Sequence, residues 1–308
     1  MTHESMTHDY YAELSKQRAR PTRSPLPQGL VPGFVDECTV RSTKGNNQKN
    51  EARKNYMQAV AGQINTDLVT SLLAHQFGNT LRDGWLGVEV SFTLRTPWYS
   101  KDDRPFHVLD NPVRKDRVFG VPYMSASSWK GMLRWACWMQ AGLRAHLERN
   151  AGKIDGWREP DWILHLFGNE KGEQTDFHQG ALVFYPTWFN RLGFEVINPH
   201  SREGRAGTQP IYYEVVPAGT EGTISLLYAP LPNMQPGVEP QAVLPQLLEA
   251  IETLLTTYGI SAKRTVGWGT ATISAWKVHR KGADVVAKET REALWQELQP
   301  LFSEGGKS

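Results

Sequence analysis

Five residues near the middle of the chain could do chemistry with an anion: Ser125, Ser127, Ser128, Lys130 and Arg134. Serine at the start of a helix satisfies its unpaired N–H groups, and those groups together with the helix dipole make that end electropositive. Lys130 and Arg134 stand four apart and so share a face, while Gly131 between them lets another backbone come close. A phosphate-bearing ligand would meet donors, dipole and cations together. The same residues would also build an ordinary capped helix with a solvated basic face, and the stretch alone leaves both readings open. A second constellation lies at Lys263-Arg-Thr-Val-Gly-Trp-Gly269, within a run from Thr253 to Ala283 that has no acidic residue. Cations beside Gly267, Trp268 and Gly269 suit a phosphate backbone that approaches the main chain closely. They equally suit a tight strand entry that needs glycine at positive φ. A third basic, glycine-bearing loop, Asn198 to Gly207, carries His200, Arg202 and Arg205.

The elements that must position these residues follow from periodicity. Residues 1–50 read as an irregular arm, with four prolines (Pro21, Pro25, Pro27, Pro32) and the basic run Lys16, Arg18, Arg20, Arg23. Gly45-Asn-Asn-Gln48 reads as a flexible loop. Tyr56, Val60, Ile64, Leu68, Leu72 and Leu73 recur at helical spacing, which predicts an N-terminal helical segment over 51–83 with its helix from about Glu51 to Leu81. Leu86, Val88, Val90, Phe92 and Leu94 alternate with small and polar residues as in a half-buried strand. Pro97 ends it, and a long polar loop runs to Arg117; between Arg95 and Arg134 eight basic residues face four aspartates. The serine-led helix is predicted to reach Glu148, burying Trp129, Met132, Leu133, Ala136, Leu143 and Leu147. A short helix ends at Gly168. Strands are predicted near Gly180–Tyr185, Leu192–Ile197, Ile211–Val216 and Gly222–Tyr228. They are followed by a helix from Ala242 to Tyr258, a strand to Val278 and a charged C-terminal helix in 283–308. Strand, helix, strands, helix, strand is the order of an α+β ferredoxin-like (RRM-related) βαββαβ domain with long insertions, here over 84–282.

Composition excludes several classes. Forty per cent hydrophobic and 21 per cent charged residues are ordinary for a globular protein. The net charge of +2 argues for no partner by itself, so a nucleic-acid role must rest on where the charge lies. Cys38 and Cys137 are the only cysteines, far apart, which argues against a disulfide scaffold or thiolate zinc site. No apolar run is long enough for a membrane span and the polar N-terminus has no signal-peptide core, so a cytoplasmic protein without membrane contact is expected.

Three stretches together resemble one family, the RAMP superfamily subunits of CRISPR type III effector complexes. Phe119-Gly-Val-Pro-Tyr-Met-Ser-Ala-Ser-Ser-Trp-Lys-Gly-Met-Leu-Arg134 is similar to the family's Gly-x-Pro-Tyr-x-Pro-Gly-Ser-Ser-Leu-Lys-Gly-x-Leu-Arg signature. Ser125-Ala126 stands in place of Pro-Gly, and Trp129 in place of Leu. Leu166-Phe-Gly168 followed by Gly180-Ala-Leu-Val-Phe184 resembles the next family segment, and Ala262 to Gly269 resembles the C-terminal glycine-rich loop. The likeness spans roughly residues 84–280. Phe184-Tyr-Pro186, Val196-Ile-Asn-Pro-His200, Pro210 to Val216 and Gly219-Thr220 look most like the small terminal RAMP subunit of the Cmr complex.

The resemblance implies an RNA-binding structural subunit of a type III RNA-guided antiviral ribonucleoprotein. Its partners would be the CRISPR guide RNA, a target RNA and neighbouring subunits of the complex. Ser127, Ser128, Lys130, Arg134, His200, Arg202, Arg205, Lys263, Arg264, Gly267, Trp268 and Gly269 are the implied RNA contacts. Some backbone subunits of the family cleave target RNA with an aspartate on the loop after the first strand, so Asp103 and Asp102 are the catalytic candidates. In that alternative a divalent metal such as Mg²⁺ takes part; otherwise no cofactor is required.

Overall fold

The computed structural model describes residues 39, 42, 45–64, 66, 69, 75–78, 81–103, 107–117, 119–169, 178–198 and 210–303. In chain order the elements begin with α1 (Asn46–Val60), β1 (Gly62–Gln63), β2 (Leu86–Leu94), β3 (Tyr123–Met124) and α2 (Ala126–Gln140). They continue through α3 (Leu143–Arg149), α4 (Asp161–Phe167), β4 (Leu182–Phe184), β5 (Thr187–Trp188), β6 (Arg191–Ile197) and β7 (Ile211–Val215). The last are β8 (Glu221–Tyr228), α5 (Pro240–Thr253), β9 (Ala271–His279), β10 (Val286–Lys288) and α6 (Arg291–Ser303). The fold is mixed α+β with antiparallel sheets.

The largest sheet has five strands in the order β10-β9-β2-β8-β4, with β2 at its centre. Register runs from Leu86↔Tyr228 to Thr93↔Glu221 on one side of β2, and from Gly87↔His279 to Leu94↔Ala271 on the other. The alternation in β2 explains why it is central. Leu86, Val88, Val90, Phe92 and Leu94 are all buried and face one side, where Ile224, Leu226, Trp276 and Val278 of its neighbours join them. Helices α2 and α5 cover that side. Trp129, Leu133, Ala136 and Cys137 are the buried stripe of α2; Val243, Leu244, Leu247, Leu248 and Ile251 are that of α5. The ring of Trp129 meets Phe92 edge-on at 6.3 Å, which seats α2 on the central strand.

A second sheet, β1-β6-β7, stands beside the first. What joins it to the rest is a buried ion pair. Lys115, 6 % exposed, and Glu214 of β7, fully buried, meet with Nζ 2.6 and 2.7 Å from the two carboxylate oxygens. Tyr56 of α1 donates its hydroxyl to Glu214 Oε1 at 2.6 Å and accepts from Lys115 Nζ at 2.8 Å, and the Val113 N–H donates to Oε2 at 3.0 Å. Three separate parts of the chain thus converge on one carboxylate. Burial pushes the Glu214 carboxyl up, but the Lys115 ammonium and the hydrogen bonds from Lys115 and Tyr56 outweigh it, and the net displacement is downward.

Several sequence expectations change. Asn46, Asn47 and Gln48 are not loop but the first turn of α1, with Gly45 before them. The helix stops at Val60 rather than near Leu81, because Ala61 turns to extended backbone and Gly62 takes φ 116°. Leu68, Leu72 and Leu73 lie outside the described residues. The long helix expected to Glu148 is cut into α2 and α3 at Gly142, whose φ of 95° is left-handed. Met132 and Leu147 are only partly covered, and Cys137 takes a buried place instead. The polar loop after β2 is tied down by the isolated bridges Trp98↔Val216, Lys101↔Val113 and Lys115↔Pro122. The helix α5 ends in a wide π-type turn, Leu254–Tyr258, and the edge strand β10 was not expected.

Removing one partner of the buried pair leaves the other charge uncompensated. Lys115→Met is therefore expected to cost about 3–5 kcal/mol in urea unfolding, and the double variant Lys115→Met/Glu214→Leu much less. Because the folded Glu214 carboxyl lies below its unfolded value, its contribution is complete above the ordinary carboxylate range and is lost as pH falls through the folded value. Wild type should lose more stability than the double variant when unfolding is repeated at acid pH.

Candidate nucleic-acid interface

The N-terminal end of α2 is built by Ser125, whose extended backbone (φ −70°, ψ 154°) precedes the first turn. Its Oγ accepts from the Ser128 N–H at 3.2 Å and lies 3.0 Å from Ser127 Oγ and 2.9 Å from Ser128 Oγ. Of three possible caps, the cap is Ser125, with the hydroxyls of Ser127 and Ser128 gathered on it. Trp129 then fixes the rotation of the helix. Its Nε1 donates to Thr187 Oγ1 at 2.9 Å, and that hydroxyl donates to the Thr223 carbonyl at 2.6 Å. With Trp129 turned inward, Lys130 is exposed, and it has no hydrogen-bond or ion-pair partner among the described residues. Partial burial, and then the neighbouring Arg134, hold its ammonium below the ordinary lysine value. A cation that has lost water without gaining a partner is stabilised by any anion that reaches it.

Arg134 shares that face but has another task. Its Nε donates to Glu159 Oε1 at 2.7 Å and its Nη2 to Oε2, a two-point ion pair. Trp138 Nε1 donates to the same carboxylate, and the Arg134 guanidinium lies 5.6 Å from the centre of the Trp138 ring. Arg134 therefore holds the segment before α4 against α2. Among the two cations of the signature, Lys130 is the uncommitted one. Nothing in local spacing shows this, because Glu159 comes from 25 residues further on.

The glycine-rich turn is fastened to the exit of β2. Trp98 Nε1 donates to the Ile260 carbonyl at 2.9 Å, the Tyr99 N–H donates to Ser261 Oγ at 3.0 Å, and the Ala262 N–H donates to the Tyr99 carbonyl at 2.8 Å. The Thr270 N–H donates to Thr96 Oγ1 at 2.9 Å. Within the turn the Ile260 N–H donates to the Gly269 carbonyl at 2.9 Å. A Cβ on Gly269 would lie 2.3 Å from the Ser261 nitrogen, so packing alone demands glycine there. Gly267 differs: its φ is 83°, yet a Cβ would meet nothing within 4 Å. Its N–H donates to the Arg264 carbonyl at 2.9 Å, while the side where a Cβ would stand is uncovered.

The turn and α2 are brought together by stacking. The Arg264 guanidinium lies 4.4 Å from the centre of the Trp135 ring, and Trp135 meets Tyr258 at 4.8 Å. Burial lowers the pKa of Arg264, and its Nη1 is buried without a hydrogen-bond partner. Lys263 lies 4.9 Å from the centre of the Tyr213 ring, which Trp268 meets edge-on at 5.8 Å. The sequence pointed to Lys263, Arg264 and Trp268 but missed Trp135, Tyr213 and Tyr258; Trp135 directly follows Arg134, the only signal available. Ser127, Ser128 and Lys130 thus form one group at the start of α2, and Lys263, Arg264, Gly267, Trp268 and Gly269 a second that docks further along that helix. His200, Arg202 and Arg205 lie outside the described residues.

The aspartates after β2 are arranged differently. Asp103 is exposed and paired with Arg114 at 3.0 Å, whereas Asp102 is 8 % exposed. Both border a cavity of about 550 Å³ with Lys101, His107 and Asp110. Burial, and then Lys115, hold His107 down to about 4. Among the described residues no three His, Cys, Asp or Glu side chains are grouped as metal ligands.

The model of the RAMP superfamily matches residues 91–272, from within β2 to the start of β9. No curated protein matches the chain. Among solved structures it is similar to a chain of the type III-B Cmr-β complex bound to cognate target RNA, determined by cryo-EM. There the identity is 15 % and the TM-score 0.48, over 79 % of this chain and 75 % of that one. It is also similar to a chain of the crystal structure of the Csm3–Csm4 subcomplex of the type III-A CRISPR–Cas interference complex. In this case the identity is 18 % and the TM-score 0.44, over 72 % of this chain and 97 % of that one.

Arg134→Ala is expected to destabilise the fold by about 2 kcal/mol, since it leaves the half-buried Glu159 carboxylate short of charged donors. Arg134→Ala/Glu159→Ala should recover part of that loss in thermal unfolding. A pair of no structural consequence would show neither effect.

Proposed function

The chain belongs to the RAMP superfamily, and on that premise we propose that it is an RNA-binding structural subunit of a type III RNA-guided effector complex. The observation that carries the proposal is Lys130, a cation just past the first turn of a serine-capped helix, exposed, unpaired among the described residues and on the family's signature. The second group supports it. Lys263, the uncovered side of Gly267 and the partly buried Trp268 supply a cation, room for a close main-chain approach and an aromatic face. Such groups contact a sugar–phosphate backbone without reading sequence, as a subunit that serves any guide requires. Arg134 takes no part in the contact, because Glu159 already neutralises it.

The strand order supports a ferredoxin-like core. In chain order β2, α2, β4, β8, α5 and β9 supply the βαββαβ units, and their strands lie side by side as β9-β2-β8-β4 with β10 added at one edge. Of the small sheet, β6 and β7 are an insertion between β4 and β8, while β1 and α1 are an addition before the core. The sequence likeness of residues 184–220 supports the small terminal position in such a complex. Guide RNA, target RNA and neighbouring subunits are then its partners, in the cytoplasm, with no cofactor required. Among the described residues no helix is long and apolar enough to cross a membrane.

Binding of single-stranded RNA, followed by fluorescence anisotropy over a series of salt concentrations, tests the proposal. Lys130→Ala should weaken binding and flatten the log–log salt dependence by about 0.7, the share of one phosphate contact on a single strand. Lys263→Ala should do the same, while Arg134→Ala should leave the slope unchanged. Equal slopes for wild type and Lys130→Ala would remove the observation on which the proposal stands.

A further inference from the structure

Between α1, which precedes the family match, and β7, which lies within it, is a groove of about 870 Å³, within the size range of small-ligand sites. Residues 50, 53, 54, 57 and 58 of α1 all line it, the spacing of one helical face. The groove has a distinct division of labour. Met57 and the buried Leu109 give it an apolar floor. Arg53 is a fixed wall: its Nε donates to the Val108 carbonyl at 3.1 Å and its Nη2 to Asp110 at 2.7 Å, so the one carboxylate among the described lining residues is already neutralised. Lys54 is exposed and has no partner among the described residues, which leaves the groove with one uncompensated positive charge. Tyr212 of β7 is 43 % exposed, and its ring has no aromatic or cationic partner among the described residues. Asn50 and Gln58, both exposed, add carboxamides that can donate and accept.

We propose that this groove holds one unstacked nucleotide of a single-stranded RNA, its base on the Tyr212 ring and its phosphate at Lys54. The combination decides the chemistry. A solvated basic face would have no apolar floor or free aromatic ring, and an apolar peptide groove would have no use for an uncompensated ammonium flanked by carboxamides. A base offers a π-face for tyrosine and polar edges for Asn50 and Gln58, and its phosphate supplies the missing anion. The site uses no residue of the α2 or glycine-turn groups and shares with the functional proposal only the class of ligand.

The test is photo-crosslinking of the full chain to a short single-stranded RNA that carries 5-iodouridine, with anisotropy titrations of the same RNA. A crosslinked peptide containing Tyr212 is expected. Tyr212→Ala and Lys54→Glu should each weaken binding about fivefold or more, the low end of what one base–aromatic stack contributes, and Tyr212→Phe should bind as wild type. Lys130→Ala, measured in parallel, should weaken binding while the Tyr212 crosslink persists; if it has no effect, the functional proposal falls and this one stands. Absence of Tyr212 from the crosslinks, with Tyr212→Ala and Lys54→Glu binding as wild type, overturns the groove proposal. It is overturned equally if those variants keep RNA affinity but lose a co-purifying neighbouring subunit, because the groove is then a protein interface.

Discussion

The Lys115–Glu214 pair is the constraint from which the arrangement around the loop after β2 follows. A carboxylate with no solvent exposure survives only where its acceptors are filled, and here Lys115, Tyr56 and the Val113 N–H fill them. Two of those donors, Lys115 and the Val113 N–H, come from the loop after β2, and the third, Tyr56, comes from α1. Each would be free to wander on local grounds. Lys115 lies in a stretch rich in charge, and Tyr56 sits on a helix that joins no large sheet. Meeting at one carboxylate, they turn a polar loop into a folded insertion and dock α1 beside β6 and β7. The ring of Tyr56 also meets Phe194 of β6 at 6.4 Å and His107 at 5.3 Å, so apolar packing closes around the polar centre.

The candidate interface depends on a different kind of constraint, the orientation of α2. Trp129 is buried and hydrogen-bonded through Thr187 to β8, and this single anchor determines which positions of the helix reach solvent. Lys130 follows it outward. Trp135 lies further along and receives Arg264, which couples the helix to the glycine-rich turn. The tryptophan that stands where the family signature has leucine is thus a core residue with a polar handle, and it positions the cation beside it rather than touching a ligand.

The parts of the fold that were legible in the sequence are those in which one period runs through consecutive residues. The alternation from Leu86 to Leu94 and the stripe of α5 declare themselves because each buried position is two, three or four residues from the next. Gly142 and Gly62 show why helix ends were misplaced: apolar spacing continues past them, while backbone conformation does not. At the candidate interface, Lys130 was legible as a cation at a capped helix start. That Arg134 is committed was not, because its partner returns from residue 159. Glu214, within an otherwise apolar strand, passed unremarked for the same reason; the residues that make it tolerable lie 158 and 99 positions away. Long-range pairing leaves no period to read.

The hydrogen bonds between Thr96–Tyr99 and Ile260–Thr270 have a further meaning for recognition. Arg95 adds to them by donating from Nη2 to the Thr256 carbonyl at 2.8 Å. Strand exit and glycine turn are therefore a single stiff body, ordered when the sheet forms rather than when a partner arrives. The entropy of arranging that surface is spent in folding, so association with a polyanion does not bear it again. A template of this kind selects by shape. On the proposed reading, a strand whose backbone already follows its curve would be accepted, whatever the bases, and one that must bend to fit would be penalised.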